Sequence, residues 1–149
     1  MSDVPILKDT DRSTGRGALQ KNIQAALALA GAVRSTLGPR GLDKLLIDDD
    51  GRTMVTNDGV TVLESAKVEH PVAKMIINAS SVQDKIARDG TTSTVLICAE
   101  MLQNAWHLVT QGVHPATIAR GFRMAEEHAR SELNALSFAS ERSHQLLAT

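Results

Sequence analysis

The sequence predicts a mainly α-helical domain, a bundle of four long helices with one small β-hairpin. Three observations carry this expectation. Apolar residues recur at spacings of three and four through four separate stretches, as in helices that each bury one face. Gly38-Pro39, Pro71, Gly112 and Pro115 punctuate those stretches at their ends. The apolar content is mostly Ala, Leu, Val and Ile, with two Phe, one Trp and no Tyr, a mixture suited to close helix packing.

The first helix is expected from Ala18, with Leu19, Ile23, Ala26, Leu27, Ala30, Val33 and Leu37 on one face, ending at Gly38-Pro39. A hairpin follows: Leu45-Leu46-Ile47 and Met54-Val55 flank Asp48-Asp49-Asp50-Gly51, aspartates and a glycine between two β-compatible runs. Thr56-Asn57-Asp58-Gly59 reads as another turn. The second helix is expected from Pro71 to about Ala87, with Val72, Met75, Ile76, Ala79, Val82 and Ile86 as its apolar stripe. A third begins at Thr91–Ser93 and reaches about Val109. It is apolar on nearly every side, which predicts a central, buried helix. The fourth starts at Pro115 and runs through Leu136, with Arg120, Arg123, Glu126, Glu127 and Arg130 on a solvated face. Residues 1–14 read as a flexible or partner-dependent arm, 15–137 as the domain, and 138–149 as the opening of a further helix.

Composition excludes several functions. The net charge is −1, with no long basic run and few aromatic side chains for base stacking. Neither nucleic acid nor an anionic membrane is an expected partner. No apolar run approaches a membrane span, and the polar start lacks an apolar signal region, so the expected location is cytoplasmic. One cysteine, Cys98, rules out an internal disulfide and a cysteine-rich zinc site; it reads as a small buried hydrophobe. His107, His114, His128 and His144 show no ligand spacing.

Three glycine-bearing turns remain: Thr36-Leu37-Gly38-Pro39, Asn57-Asp58-Gly59 and Asp89-Gly90-Thr91-Thr92-Ser93. The last has the richest chemistry. A helix N-terminus presents unpaired N–H groups, glycine lets an anion come close, and hydroxyls can donate to phosphate oxygens. Asp89 would repel phosphate alone but suits a hard divalent cation lying between the two. The plain alternative is an N-cap with no ligand. The segment from Gly38 to Lys44 is no Walker A loop, because the lysine–hydroxyl ending is missing and the loop follows a helix.

Taken together, the turns carry a resemblance. Ala32-Val33-Arg34-Ser35-Thr36-Leu37-Gly38-Pro39-Arg40-Gly41-Leu42-Asp43-Lys44, Val55-Thr56-Asn57-Asp58-Gly59-Val60-Thr61, His70-Pro71-Val72, Asp89-Gly90-Thr91-Thr92-Ser93-Thr94 and His114-Pro115 occur in the order and spacing of the chaperonin equatorial domain. The chain resembles chaperonins of group II, or the bacterial relatives called group III, from about Gly15 to Leu136. The resemblance implies a site for ATP and magnesium. Thr36, Leu37, Gly38 and Pro39 would lie against the phosphates, and Gly90, Thr91, Thr92 and Ser93 would cradle phosphate. Asp89 would bind magnesium. Asp58 would act catalytically near the γ-phosphate, where a carboxylate can orient the attacking water or accept its proton, with Asn57 and Gly59 shaping its turn.

The resemblance also implies ring assembly with chaperonin subunits, the hairpin adding strands to a neighbour's sheet. One departure is Arg88, which stands where the family has glycine. If that position needs positive φ, arginine costs about 1–2 kcal/mol. The family's apical and intermediate domains and the returning half of the equatorial domain lie outside these residues. The bundle is therefore expected to be incomplete, and unfolded proteins would be reached only through the apical domain. The expected function is the ATP-binding part of a folding chaperonin. The alternative is a non-catalytic interaction module assembling with chaperonin subunits.

Overall fold

The computed structural model describes residues 13–66 and 68–137. The expectations for residues 1–12 and 138–149 fall outside these. The described elements are α1 (Gly15–Val33), a 3-10 turn (Arg34–Thr36), β1 (Lys44–Ile47), β2 (Thr53–Thr56), α2 (Gly59–Ser65), α3 (Pro71–Ala87), α4 (Thr91–Thr110) and α5 (Pro115–Leu136). They fall into two compact units that meet in sequence at His107 and Leu108.

In the first unit α1 packs on α2 and α3, and α2 packs on α3 and β1. The core joins Ala26, Leu29, Ala30 and Val33 of α1 with Val62 and Leu63 of α2, Ala73 and Ile76 of α3, and Val95 and Ala99 of α4. Alanine and valine dominate, so the helix backbones approach closely. Leu63 is 2% exposed, and truncating it to alanine would cost about 2–5 kcal/mol.

The strands pair antiparallel, with Leu45 opposite Val55 and Leu46 opposite Met54. Leu46 packs against the core while Leu45, Ile47 and Val55 remain exposed. Asp48 closes the loop. Its carbonyl accepts from Gly51 N–H at 3.0 Å and its carboxylate accepts from Arg52 N–H at 2.8 Å, with Gly51 at φ +77°.

Four elements differ from expectation. The last residues of the first helix tighten into a 3-10 turn. A fifth helix, α2, occupies seven residues for which the sequence predicts only a preceding turn. Helix α3 has the expected bounds, but it buries Ala73, Ile76 and Ser80 while Met75, Val82 and Ile86 are exposed. Of the expected stripe, Ile76 is buried and Val72 packs against the core, while the small residues Ala73 and Ser80 fill the rest of that face. Helix α4 is likewise not buried all round, since Ile97 and Met101 are exposed.

In the second unit Gly112 takes φ +97° as Val113 N–H bonds back to the Leu108 carbonyl, stopping α4. Pro115 starts α5, whose exposed face carries an Arg130–Glu126 ion pair one turn apart. His70 and His114 repeat one device. Each precedes a proline at the first helical position, and its Nδ1 accepts from the N–H two residues on, at 3.3 and 3.1 Å. An imidazole thus caps each helix where Ser or Asp is commoner.

Candidate phosphate-binding site

The first turn is held by its own backbone. Thr36 Oγ1 donates to the Val33 carbonyl at 2.8 Å, and Leu42 N–H donates to the Ser35 carbonyl at 2.7 Å. Gly38 takes φ +83°. Gly41 folds so tightly onto this loop that a Cβ there would lie 2.3 Å from the Thr36 carbonyl oxygen. The hydroxyl proton of Thr36 is therefore committed to the helix end, and the turn's backbone is what remains to meet a ligand.

The second turn centres on Asp58, the N-cap of α2. Its Oδ2 accepts from Thr61 N–H at 3.0 Å and from Thr61 Oγ1 at 2.6 Å. The Thr61 hydroxyl bond, chiefly, holds the Asp58 carboxyl below its usual range, against a weaker opposing effect of burial. Such a carboxylate stays ionised at neutral pH, so it is better suited to orienting a water than to keeping its proton. Gly59 is buried against the third turn: a Cβ there would lie 2.2 Å from Thr92 Oγ1.

The third turn joins α3 to α4. Arg88 caps α3 in the left-handed region at φ 54°, the one non-glycine with positive φ among the described residues. The glycine-like conformation is thus present on an arginine. Gly90 follows at φ +80°, and its N–H donates to Asp89 Oδ1 at 2.6 Å. Two side chains of α3 reach this turn: Gln83 Nε2 donates to the Asp89 carbonyl at 3.2 Å, and buried Ser80 donates to the Thr91 carbonyl at 3.3 Å. Arg34 and Glu100 add an ion pair of 2.5 Å between the end of α1 and α4.

These turns meet around one pocket of about 210 Å³, lined by residues 36–38, 57–59 and 89–93. Every singled-out residue lines it except Pro39, which is exposed beside it. Sequence reasoning missed Thr61, Ser80 and Gln83. A polar pair three residues apart in α3 was the available signal for the last two. A larger cavity of about 770 Å³ lies beside the hairpin, but aliphatic side chains such as Leu46, Met54 and Val62 form much of its wall. The smaller pocket is where the chemistry converges.

The donor set fits a phosphate group with a hard cation. Asp58 and Asp89 supply carboxylate oxygens, Thr91, Thr92 and Ser93 supply hydroxyls, and α4 presents its N-terminus to the same space. Among the described residues there is no cluster of three His, Cys, Asp or Glu able to hold a metal unaided. The two pocket carboxylates suit magnesium, which commonly takes one or two carboxylates and completes its shell with water and substrate phosphate. Cys98 is half-buried, and burial raises its thiol pKa, so it is not an activated nucleophile.

Comparison with known proteins agrees with the resemblance. The sequence pattern of the TCP-1/cpn60 chaperonin family matches residues 29–149. Thermosome subunit beta of Thermoplasma acidophilum is 48% identical over 133 residues, 89% of this chain and 24% of that protein. Thermosome subunit beta of Archaeoglobus fulgidus is 50% identical over 135 residues, covering 90% and 25%. A crystal structure of a group III chaperonin in the open state superposes with TM-score 0.79 at 32% identity, covering 85% of this chain and 26% of that one. The chain thus spans about a quarter of the length of these relatives. The match over residues 29–149, most of the chain, shows that it belongs to the TCP-1/cpn60 chaperonin family.

Proposed function

We propose that the pocket binds the phosphates of ATP together with Mg2+, as the nucleotide corner of a chaperonin subunit that assists protein folding in the cytoplasm. One observation carries this reading: three turns far apart in sequence converge on a single space lined by backbone, hydroxyls and two carboxylates. Asp89 holds the metal, whose chemistry is to neutralise phosphate charge. Gly90, Thr91, Thr92 and Ser93 receive phosphate oxygens at the start of α4, and residues 36–38 close the opposite side with main chain. Asp58, ionised and steadied by Thr61, orients a water at the terminal phosphate.

Subunits of the same family are the proposed partners in a ring. The hairpin is the contact it offers, because its Leu45, Ile47 and Val55 remain exposed. Unfolded proteins would be bound by the apical domain that the chaperonin resemblance implies outside this span.

Calorimetric titration of the purified chain with Mg·ATP tests the proposal. Heat that saturates in the micromolar to millimolar range, lost with Asp89→Ala or on chelating the metal, supports it. A folded chain giving no heat at millimolar Mg·ATP refutes it.

A further inference from the structure

The turn that carries Asp89 has a brace that belongs to neither loop nor pocket. Gln83 projects from α3 and donates from Nε2 to the Asp89 carbonyl at 3.2 Å. Its Nε2 and Cγ lie 3.5 and 3.9 Å from where a Cβ on Gly90 would stand. We propose that Gln83 is the positioning residue of the magnesium–phosphate turn, a role that rests on the nucleotide reading above.

Peptide planarity couples the two groups of this turn. The Asp89 carbonyl and the Gly90 N–H belong to one rigid amide, so fixing the oxygen fixes the direction of the N–H. That N–H in turn holds Asp89 Oδ1 at 2.6 Å, so one bond from Gln83 orients both the backbone donor and the carboxylate. The turn needs such a tie. Gly90 at φ +80° has no side chain to restrict it, and its peptide would otherwise rotate readily.

Ser80 repeats the device one turn earlier on the same face of α3. It is 1% exposed and donates to the Thr91 carbonyl, fixing the amide that carries Thr92 N–H. Ser80 also lies within the core, so a change there mixes packing with positioning. Gln83 is half-buried, and its removal isolates the tie.

Two variants of the full chain test this. Gln83→Met keeps length and packing and loses the donor; Gln83→Lys keeps a donor. Backbone order parameters at Gly90 and Thr91, measured by amide relaxation without ligand, should drop below about 0.6 in Gln83→Met and recover in Gln83→Lys. The fold, followed by circular dichroism, should be unchanged. Mg·ADP should bind about tenfold more weakly to Gln83→Met and recover in Gln83→Lys, a change on the scale of one lost hydrogen bond. Unchanged order at Gly90 in Gln83→Met overturns the proposal, and so does a loosened turn with unaltered Mg·ADP affinity. If the unmodified chain binds no Mg·ADP, the nucleotide reading fails instead, and the order parameters still decide whether Gln83 holds the turn.

Discussion

The turn cluster and the hairpin are both built from short, glycine-bearing segments, yet they are completed differently. At the turns, several polar side chains find partners within the chain: Thr36 on Val33, Asp58 on Thr61, Ser80 on Thr91, Gln83 on Asp89. Gly41 and Gly59 lie so close to neighbouring atoms that neither can carry a Cβ without movement. The hairpin closes its own loop through Asp48, but of its apolar residues only Leu46 packs against the core. One region is a pinned polar pocket that suits the proposed phosphate, and the other keeps apolar residues facing outward. Cradling phosphate requires rigid donors, whereas pairing with another chain requires an exposed strand.

The difference can be tested where it is greatest. Gly41→Ala drives a Cβ into the Thr36 carbonyl, a backbone atom that cannot yield without displacing the whole first turn. A loss of about 2–3 kcal/mol is expected by urea denaturation, with the overall helix content retained. Wild-type stability in Gly41→Ala would mean that the turn is not rigid.

Asp58 gives the next largest effect and separates its two roles. Asp58→Ala removes the α2 cap and should cost about 1 kcal/mol at neutral pH. An asparagine side chain still caps, so Asp58→Asn should lose less stability than Asp58→Ala at neutral pH while removing the charge at the pocket. The folded carboxyl titrates below its unfolded value of 3.8. Its stabilisation is therefore fully present above that value and disappears as pH falls through the lower folded one. Acid denaturation curves of wild type and Asp58→Asn should converge at low pH and separate as pH rises; parallel curves would remove Asp58 from the account.

The hairpin should respond least. Leu45→Lys changes an exposed side chain and should alter the stability of the chain by less than about 0.5 kcal/mol, while reducing any self-association seen by sedimentation. A large stability loss would show that the hairpin face is completed within the chain after all.

The sequence was legible where local chemistry decides structure. Pro71 marked the start of α3, whose end fell at Ala87 as expected, and the aspartate–glycine run marked the hairpin. Seven-residue α2 was missed, since so short a helix shows barely two turns of periodicity. The buried face of α3 was half legible: Val72 and Ile76 of the expected stripe pack on the core, but Met75, Val82 and Ile86 do not, and Ala73 and Ser80 take buried positions that a stripe of large residues does not mark. The pocket's members were legible as motifs. Their supports were not: the bond from Gln83 to Asp89 depends on how α3 leads into α4, which no spacing rule encodes.

The central claim is that three turns form one magnesium-dependent phosphate site. Amide NMR of the 15N-labelled chain tests it directly, because Gly38, Gly59 and Gly90 report one turn each. Titration with Mg·ADP should shift all three signals along a single binding curve, and omitting magnesium should abolish the shifts. Movement of Gly90 alone, three different affinities, or no shift at millimolar Mg·ADP would contradict the account.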